Sequence, residues 1–125
     1  MSAEIVADEH IAKADQFLAA AELALGESLW DAAASCAVSA GIHANDAICL
    51  ARLGRFSTAK SHGEAVALAR TAGPDGRAAA TQLTRLLAVK NKAQYDSTAI
   101  GANSARKAVD TANKLVELAH RVRAG

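Results

Sequence analysis

Apolar residues recur at every third or fourth position along most of the chain, as they do in helices that bury one face. The first such stretch spans Ala3–Leu25 and ends at Gly26, where a glycine suits the position after a helix. The second spans Ser28–Leu53, ends at Gly54 and is apolar on nearly all sides. A helix of that kind is predicted to lie at the centre of the fold, buried by its neighbours.

Three further helices follow from the same periodicity and from capping signals. A serine followed three residues later by a carboxylate is the pattern of a capping box and marks helix starts at Ser28 and Ser61. The segment Gly73-Pro74-Asp75-Gly76 predicts a turn. The remaining predicted elements are a third helix to about Thr71, a fourth over Arg77–Tyr95, a loop at 96–101 and a fifth helix over Ala102–Val122. With one proline and no alternating β-branched run, the chain is predicted to be all-α, an antiparallel four-helix bundle with one short additional helix.

Length and composition indicate one domain covering residues 1–125. A chain of 125 residues buries roughly 66% of its unfolded surface on folding, enough for one core without disulfides or metals. Aromatic residues make up only 3% of the chain, and alanine is abundant. We therefore expect the helices to approach one another closely, because small side chains leave voids unless the backbones come together.

Several features favour a cytoplasmic protein. The acidic N-terminus lacks the basic and apolar regions of a signal peptide. The apolar stretch Ala32–Ala51 contains serine, histidine, asparagine and aspartate residues that a membrane helix would not tolerate. Cys36 and Cys49 would lie about 20 Å apart on one helix, too far for a disulfide, so both are predicted to be reduced thiols.

The charges are distributed unevenly between the two parts of the chain. Residues 1–50 hold eight acidic residues and one lysine, a net charge of −7, whereas residues 51–125 hold thirteen basic and five acidic residues, a net charge of +8. This asymmetry is typical of a basic face that binds nucleic acid. It is equally expected where acidic N-terminal helices pack against basic C-terminal ones, an interpretation favoured by the dispersed positions of the basic residues.

A polar patch ends the predicted fourth helix. The buried seam through Leu83 and Leu87 continues to Lys90, and a lysine on a buried stripe must pair, extend its amine to water or lie at an interface. The patch residues are Lys90, Asn91, Lys92, Gln94 and Tyr95. One interpretation is a groove that binds an anion or RNA. The other is an ordinary helix end, with Lys90 and Lys92 complementing the helix dipole.

A second polar group interrupts the most apolar helix. His43 and Asp46 are three residues apart, so the carboxylate could hold the imidazole in one tautomer, as in a general base. We favour the alternative of a hydrogen-bonded core or interface histidine. No metal site and no cofactor are predicted, because Cys36 and His43 on one face are too few ligands. The histidines without a ligand partner at a useful spacing are His10, His62 and His120.

Several segments together carry a family signature. Trp30–Ser35 and Ile42–Ala47 belong to an alanine-rich helix with a histidine in its middle, and Ser61–Glu64 opens the next helix. Leu86–Asp96 contains a Lys-Asn dipeptide followed by Ala-x-Tyr. In their order and spacing, over nearly the whole chain, these segments resemble the second, third and fourth helices of HEPN-domain proteins.

This resemblance implies an all-helical bundle that dimerises with its groove at the subunit interface. Many HEPN proteins are metal-independent endoribonucleases, often toxins of bacterial toxin–antitoxin pairs with a nucleotidyltransferase-like antitoxin. Their catalytic signature is an arginine followed by a histidine after four to six residues, near the end of the fourth helix. Here Lys90 takes the arginine-like position, Tyr95 lies near the histidine position, and no histidine follows within range. Arg55 and His62 fit the spacing by count, but about one such match is expected by chance, and they fall in a loop.

Three functions are compatible with these residues. We favour a non-catalytic HEPN-like module that binds a nucleotide, RNA or protein partner in a toxin–antitoxin-type system, because the signature histidine is missing. An endoribonuclease would use Lys90 to hold the phosphate, with Tyr95, Asn91 or His43 supplying hydrogen bonds or proton transfer. A structural dimerisation subunit is the third. The predicted binding residues for RNA or a nucleotide are Lys90, Asn91, Lys92, Gln94 and Asp46. The predicted partners are a second copy of the chain and a nucleotidyltransferase-like antitoxin.

Overall fold

The computed structural model describes residues 2–95 and 99–125, and the side chains of these except at 93–95. Within those ranges the chain forms five helices and no strand, which confirms the predicted all-α class. The helices are α1 (Ala3–Gly26), α2 (Trp30–Leu53), α3 (His62–Arg70), α4 (Gly73–Tyr95) and α5 (Ala102–Ala124). Four are long and α3 is short, as predicted. Part of the predicted loop at 96–101, residues 96–98, lies outside the described residues.

Polar contacts at the helix ends show how the long helices run. Arg123 near the end of α5 donates to Asp8 near the start of α1, at 2.7 Å, so these two helices are antiparallel. Arg52 at the end of α2 donates to Asp75 at the start of α4, also at 2.7 Å. Since α1 and α2 are joined by a three-residue connection, α1, α2, α4 and α5 alternate in direction around the bundle.

The α2 helix lies at the centre, as its apolar surface predicted. It contacts each of the other helices, and most of its residues from Ala33 to Leu50 are buried. Gly41 has no side chain, which lets Leu86 of α4 and Leu115 of α5 pack against its backbone. Small residues therefore allow the close helix packing that the alanine-rich composition predicted.

The apolar surface of α2 is covered within one chain. Its neighbours bury most of its residues, so this surface alone does not require the predicted dimer. Cys36 and Cys49 on this helix are free thiols, as predicted. Within residues 2–95 and 99–125, none of the helices combines the length and apolar character required to cross a membrane.

The connection between α1 and α2 differs from the prediction. Gly26 is the last residue of α1, and Ser28 takes the left-handed conformation, with a φ of 60°. Leu29 is the N-cap of α2, so the capping box predicted from Ser28 is not formed. The Asp31 carboxylate instead accepts a hydrogen bond of 2.9 Å from the backbone N–H of Ile100, which ties the start of α2 to the start of α5.

The starts of α3 and α4 also differ in detail from the prediction. Ser61 is the N-cap of α3 as predicted, but among the described residues its side chain makes no capping hydrogen bond. The segment Gly73-Pro74-Asp75-Gly76 is the first turn of α4, where the sequence predicted a turn before it. Proline suits a first helical turn, because its missing N–H has no intrahelical acceptor there. Gly54 ends α2 in a left-handed conformation, as predicted, with a φ of 74°.

Candidate functional site

Three ionisable side chains meet where α1 packs against α2, and we call them the histidine cluster: His10, His43 and Asp46. The Nδ1 atoms of His10 and His43 are 3.0 Å apart, and Oδ2 of Asp46 is 3.9 Å from Nδ1 of His10. One candidate ligand atom from each residue lies within 4.8 Å of the others. The antiparallel packing of α1 and α2 creates the cluster, because it places the first half of α1 beside the second half of α2.

The sequence showed no ligand partner for His10 at a useful spacing, and the structure brings its partners from another helix. Its partners lie 33 and 36 residues further along the chain, a separation that no local spacing rule detects. His43 and Asp46 were both selected from the sequence, and the structure places them on the same face of α2. However, the observed hydrogen bond of His43 goes to His10, where the sequence suggested an interaction with Asp46.

Aromatic rings cover the histidine cluster. The Phe17 ring stacks on His43 with its centroid 5.7 Å away and the planes 5° apart. The Phe56 ring meets His10 edge-on at 4.7 Å. The side chains of His10 and Asp46 retain only 14% and 9% of their exposure. The cluster is thus a polar group enclosed largely by apolar surface.

Burial determines the protonation of this group. It lowers the pKa of His10 and of His43, and the charge of Lys13 lowers both further, so both imidazoles favour the neutral form. The same burial raises the pKa of Asp46 to about 7. The cluster therefore holds two neutral ring nitrogens that can bind a proton or a cation, beside a carboxyl group that titrates near neutrality.

The side of α2 that carries Asn45 and Cys49 has a structural role. The Asn45 side chain is fully buried and donates to the backbone oxygen of Ala65 at 3.3 Å, which ties α2 to α3. Burial raises the pKa of the Cys49 thiol to about 11, so this cysteine is not a reactive thiolate. Asn45 Oδ1 has no hydrogen-bond partner among the described residues.

The predicted patch on α4 lies apart from the histidine cluster. Lys90 is half-buried and Asn91 and Lys92 are exposed, whereas the side chains of Gln94 and Tyr95 lie outside the described residues. Burial lowers the pKa of His62 at the start of α3, and the charge of Lys90 lowers it further. In the described ranges α1 does not contact α4, whereas the histidine cluster lies where α1 packs against α2.

A groove runs between α4 and α5, and sequence spacing gave no indication of it. Its volume is about 320 Å³. Apolar side chains form its floor, and Arg85 and Lys107 lie on its opposite helices. Asp110 also lines it, but its carboxylate is 3.3 Å from the Lys114 amine. The groove thus combines apolar surface with an excess of positive charge.

The comparison with protein families decides the identity of this bundle. The family model described as the HEPN domain matches residues 7–122. The chain belongs to the HEPN-domain family. In a search of curated proteins, no sequence matches it.

The match covers all five helices of this HEPN domain apart from a few terminal residues. HEPN domains are nucleotide-binding and RNase-type modules, so the candidate sites of this chain are surfaces that could bind a phosphate group. Two arrangements in this HEPN domain have the required chemistry. They are the basic groove between α4 and α5, and Lys90 on α4, whose charge acts on His62 of α3.

Proposed function

We propose that this HEPN domain is a cytoplasmic, non-catalytic RNA-binding module of a toxin–antitoxin-type system, and that RNA lies along the groove between α4 and α5. The observation that carries the proposal is the composition of this groove, with cations on both helices and an apolar floor. Phosphates would contact the cations, since these supply most of the affinity for nucleic acid. Among the apolar lining residues, Val89 is the half-buried one that a base could contact, since Leu86 and Ala108 are almost fully buried.

Helical spacing extends the basic surface beyond the groove itself. Lys92 lies seven residues after Arg85 and therefore on nearly the same side of α4, and Lys114 bears the same relation to Lys107 on α5. Lys114 is already paired with Asp110, so Arg85, Lys92 and Lys107 are the cations that could contact phosphates. Several cations spaced along two helices match the repeated charges of a nucleic-acid backbone better than a single phosphate.

Removing one cation from each wall of the groove should weaken RNA binding. We expect the double variant Arg85→Ala/Lys107→Ala to bind a labelled single-stranded RNA at least tenfold more weakly at low salt. The slope of log K against log salt should fall in magnitude by about 1.4, about 0.7 for each lost phosphate contact. Fluorescence anisotropy at several salt concentrations measures both quantities.

The matched control is Lys60→Ala/Arg70→Ala, which removes one lysine and one arginine from exposed positions outside the groove. Its affinity for RNA should remain within a fewfold of the parent protein. An equal loss in both double variants would show that RNA responds to total charge, and the groove would not be the site. No RNA binding by the parent protein would favour the structural dimerisation subunit.

A second candidate function is RNA cleavage, favoured by the effect of the Lys90 charge on His62. The sequence offered Lys90 as the phosphate-binding group but found no histidine after it on α4. The charge of Lys90 acts on His62, and burial also favours the neutral imidazole. In this reaction Lys90 would hold the phosphate, and the neutral imidazole of His62 would accept the proton of the attacking hydroxyl and return it to the leaving oxygen. Tyr95, the residue proposed from the sequence for that role, lies outside the described side chains.

Lys90→Ala tests both candidate functions. Lys90 is half-buried and lies outside the groove lining, so alanine should lower the thermal unfolding midpoint only by what its packed stem contributes. If RNA extends from the groove along α4 to Lys90, the variant should also reduce the salt slope by about 0.7. If the domain cleaves RNA, both Lys90→Ala and His62→Ala should abolish cleavage. Parallel losses of stability and binding in Lys90→Ala would instead assign the residue a structural role.

We further propose that the domain works as a homodimer with a nucleotidyltransferase-like antitoxin partner. The resemblance described above motivates both partners. Apolar side chains left exposed by the single chain also favour self-association: Ile5, Phe17, Leu23 and Leu29. Sedimentation equilibrium should give twice the chain mass, and a monomer at micromolar concentration would contradict the dimer.

A further inference from the structure

We propose that His10, His43 and Asp46 form a binding site for a divalent transition-metal ion, for which Zn²⁺ is the natural probe. The proposal rests on the geometry and chemistry of the histidine cluster. It does not depend on the RNA-binding groove, since the two lie between different pairs of helices.

The distances within the cluster suit one small cation. Ligands of a tetrahedral Zn²⁺ site lie about 3.3 Å apart when the metal–ligand bonds are about 2.0–2.1 Å. The observed separations of 3.0 Å between the two Nδ1 atoms and 3.9 Å between His10 Nδ1 and Asp46 Oδ2 lie on either side of that value. Small side-chain rotations would equalise them. The two Nδ1 atoms share one proton in the metal-free cluster, and both can bind one cation once that proton moves to Nε2 or is released to water.

The ligand types select the class of metal. Imidazole nitrogen suits Zn²⁺ and its first-row neighbours, whereas Ca²⁺ and Mg²⁺ prefer sites made only of oxygen. Two histidines and one carboxylate are three protein ligands, which leaves a fourth position for water or another small ligand. The site would therefore keep one open coordination position, unlike structural zinc sites, in which four protein ligands surround the metal.

The surroundings of the cluster support metal binding. Phe17 and Phe56 pack on the two imidazoles and would fix the ring orientations that a metal requires. Of the two neighbouring charges on α1, Glu9 favours a cation and Lys13 opposes it. A bound cation would also compensate the negative charge of Asp46, which the apolar surroundings otherwise disfavour.

Zn²⁺ titration of chelator-treated, reduced protein tests the proposal. Competition with a colorimetric chelator should give one Zn²⁺ per chain, and Co²⁺ substitution should give the intense visible absorption of a four- or five-coordinate site. Asp46→Asn and His43→Gln should each lower the affinity for Zn²⁺ at least tenfold. Asn is isosteric with Asp, so Asp46→Asn should fold, and circular dichroism verifies this.

The matched controls are His62→Gln and His120→Gln, which remove histidines outside the cluster. Both should bind Zn²⁺ like the parent protein. The double variant Arg85→Ala/Lys107→Ala should also retain Zn²⁺ binding, so failure of the metal site and failure of the RNA proposal are distinguishable. Unchanged affinity in folded Asp46→Asn and His43→Gln, equal losses in the His62 and His120 controls, or no stoichiometric binding by the parent protein would overturn the proposal.

Discussion

We expect the variant Asp46→Asn to be more stable than the parent protein above pH 7 when both are free of metal, by up to about 4 kcal/mol. The Asp46 side chain is only 9% exposed, and burial raises the pKa of its carboxyl from 3.8 to about 7. The folded chain must either bury a carboxylate or take up a proton. Asparagine requires neither. Urea unfolding at a series of pH values measures the difference.

The difference should depend on pH with a definite sign. A carboxyl whose pKa is raised on folding stabilises the fold in its protonated form, and this stability is lost as the pH rises from 3.8 through about 7. The gain in the free energy of unfolding from Asp46→Asn should therefore be small near pH 3.8, grow as the pH rises to about 7, and stay constant above that pH. The pKa values of His10 and His43 are lowered on folding, so these residues remove stability as the pH falls below 6.5. The parent protein and Asp46→Asn both contain these histidines, so this loss does not change the difference between them.

Asp15→Asn is the matched control. Asp15 accepts a hydrogen bond of 2.8 Å from His120 at the surface, and its side chain is 51% exposed. Its replacement should change the free energy of unfolding by less than about 1 kcal/mol. Saturating Zn²⁺ should reverse the order of stability, because only the parent protein retains all three proposed ligands. A loss of stability in Asp46→Asn at every pH would show that the carboxylate makes stabilising contacts.

Most of the fold could be predicted from the sequence because local physics determines it. The apolar periodicity located every helix, and the excess of apolar surface on α2 correctly predicted its central position. The errors lie at the helix ends, where capping depends on contacts that spacing does not contain. Asp31, for example, has the right spacing for a capping box, but its carboxylate accepts a hydrogen bond from Ile100, 69 residues away.

The candidate sites could be predicted only in part, because they depend on how distant helices meet. His43 and Asp46 stood out as polar residues in an apolar helix, and both belong to the histidine cluster. His10 did not stand out, because its partners in the cluster lie on α2 and come within reach only when α1 packs on α2. Glu9 before it favours a cation, but Lys13 after it opposes one, and neither residue specifies a distance to α2. The groove between α4 and α5 likewise exists only after those helices pack.

Gly76→Ala should destabilise the protein by roughly 2–3 kcal/mol, although alanine is the better helix former by about 1 kcal/mol. Gly76 lies in the first turn of α4, where the chain turns back from α3. An added Cβ would overlap the backbone oxygen of Ala69 and lie 2.5 Å from the Cβ of Ala72. A backbone carbonyl cannot rotate away as the end of a long side chain can. The end of α3 and the start of α4 must therefore move apart, and urea unfolding measures the resulting loss of stability.

Gly26→Ala is the control that separates steric overlap from helix propensity. Gly26 is the last residue of α1, its φ is not positive, and no atom lies within 4 Å of an added Cβ. Alanine at this position should stabilise the protein by about 0.4–1 kcal/mol, because it restricts the unfolded chain without a clash. The two substitutions are chemically identical, so opposite signs would assign the effect at Gly76 to the close approach of α3 and α4. A neutral or stabilising Gly76→Ala would show that this turn has room for a methyl group, and that the glycine there serves no packing role.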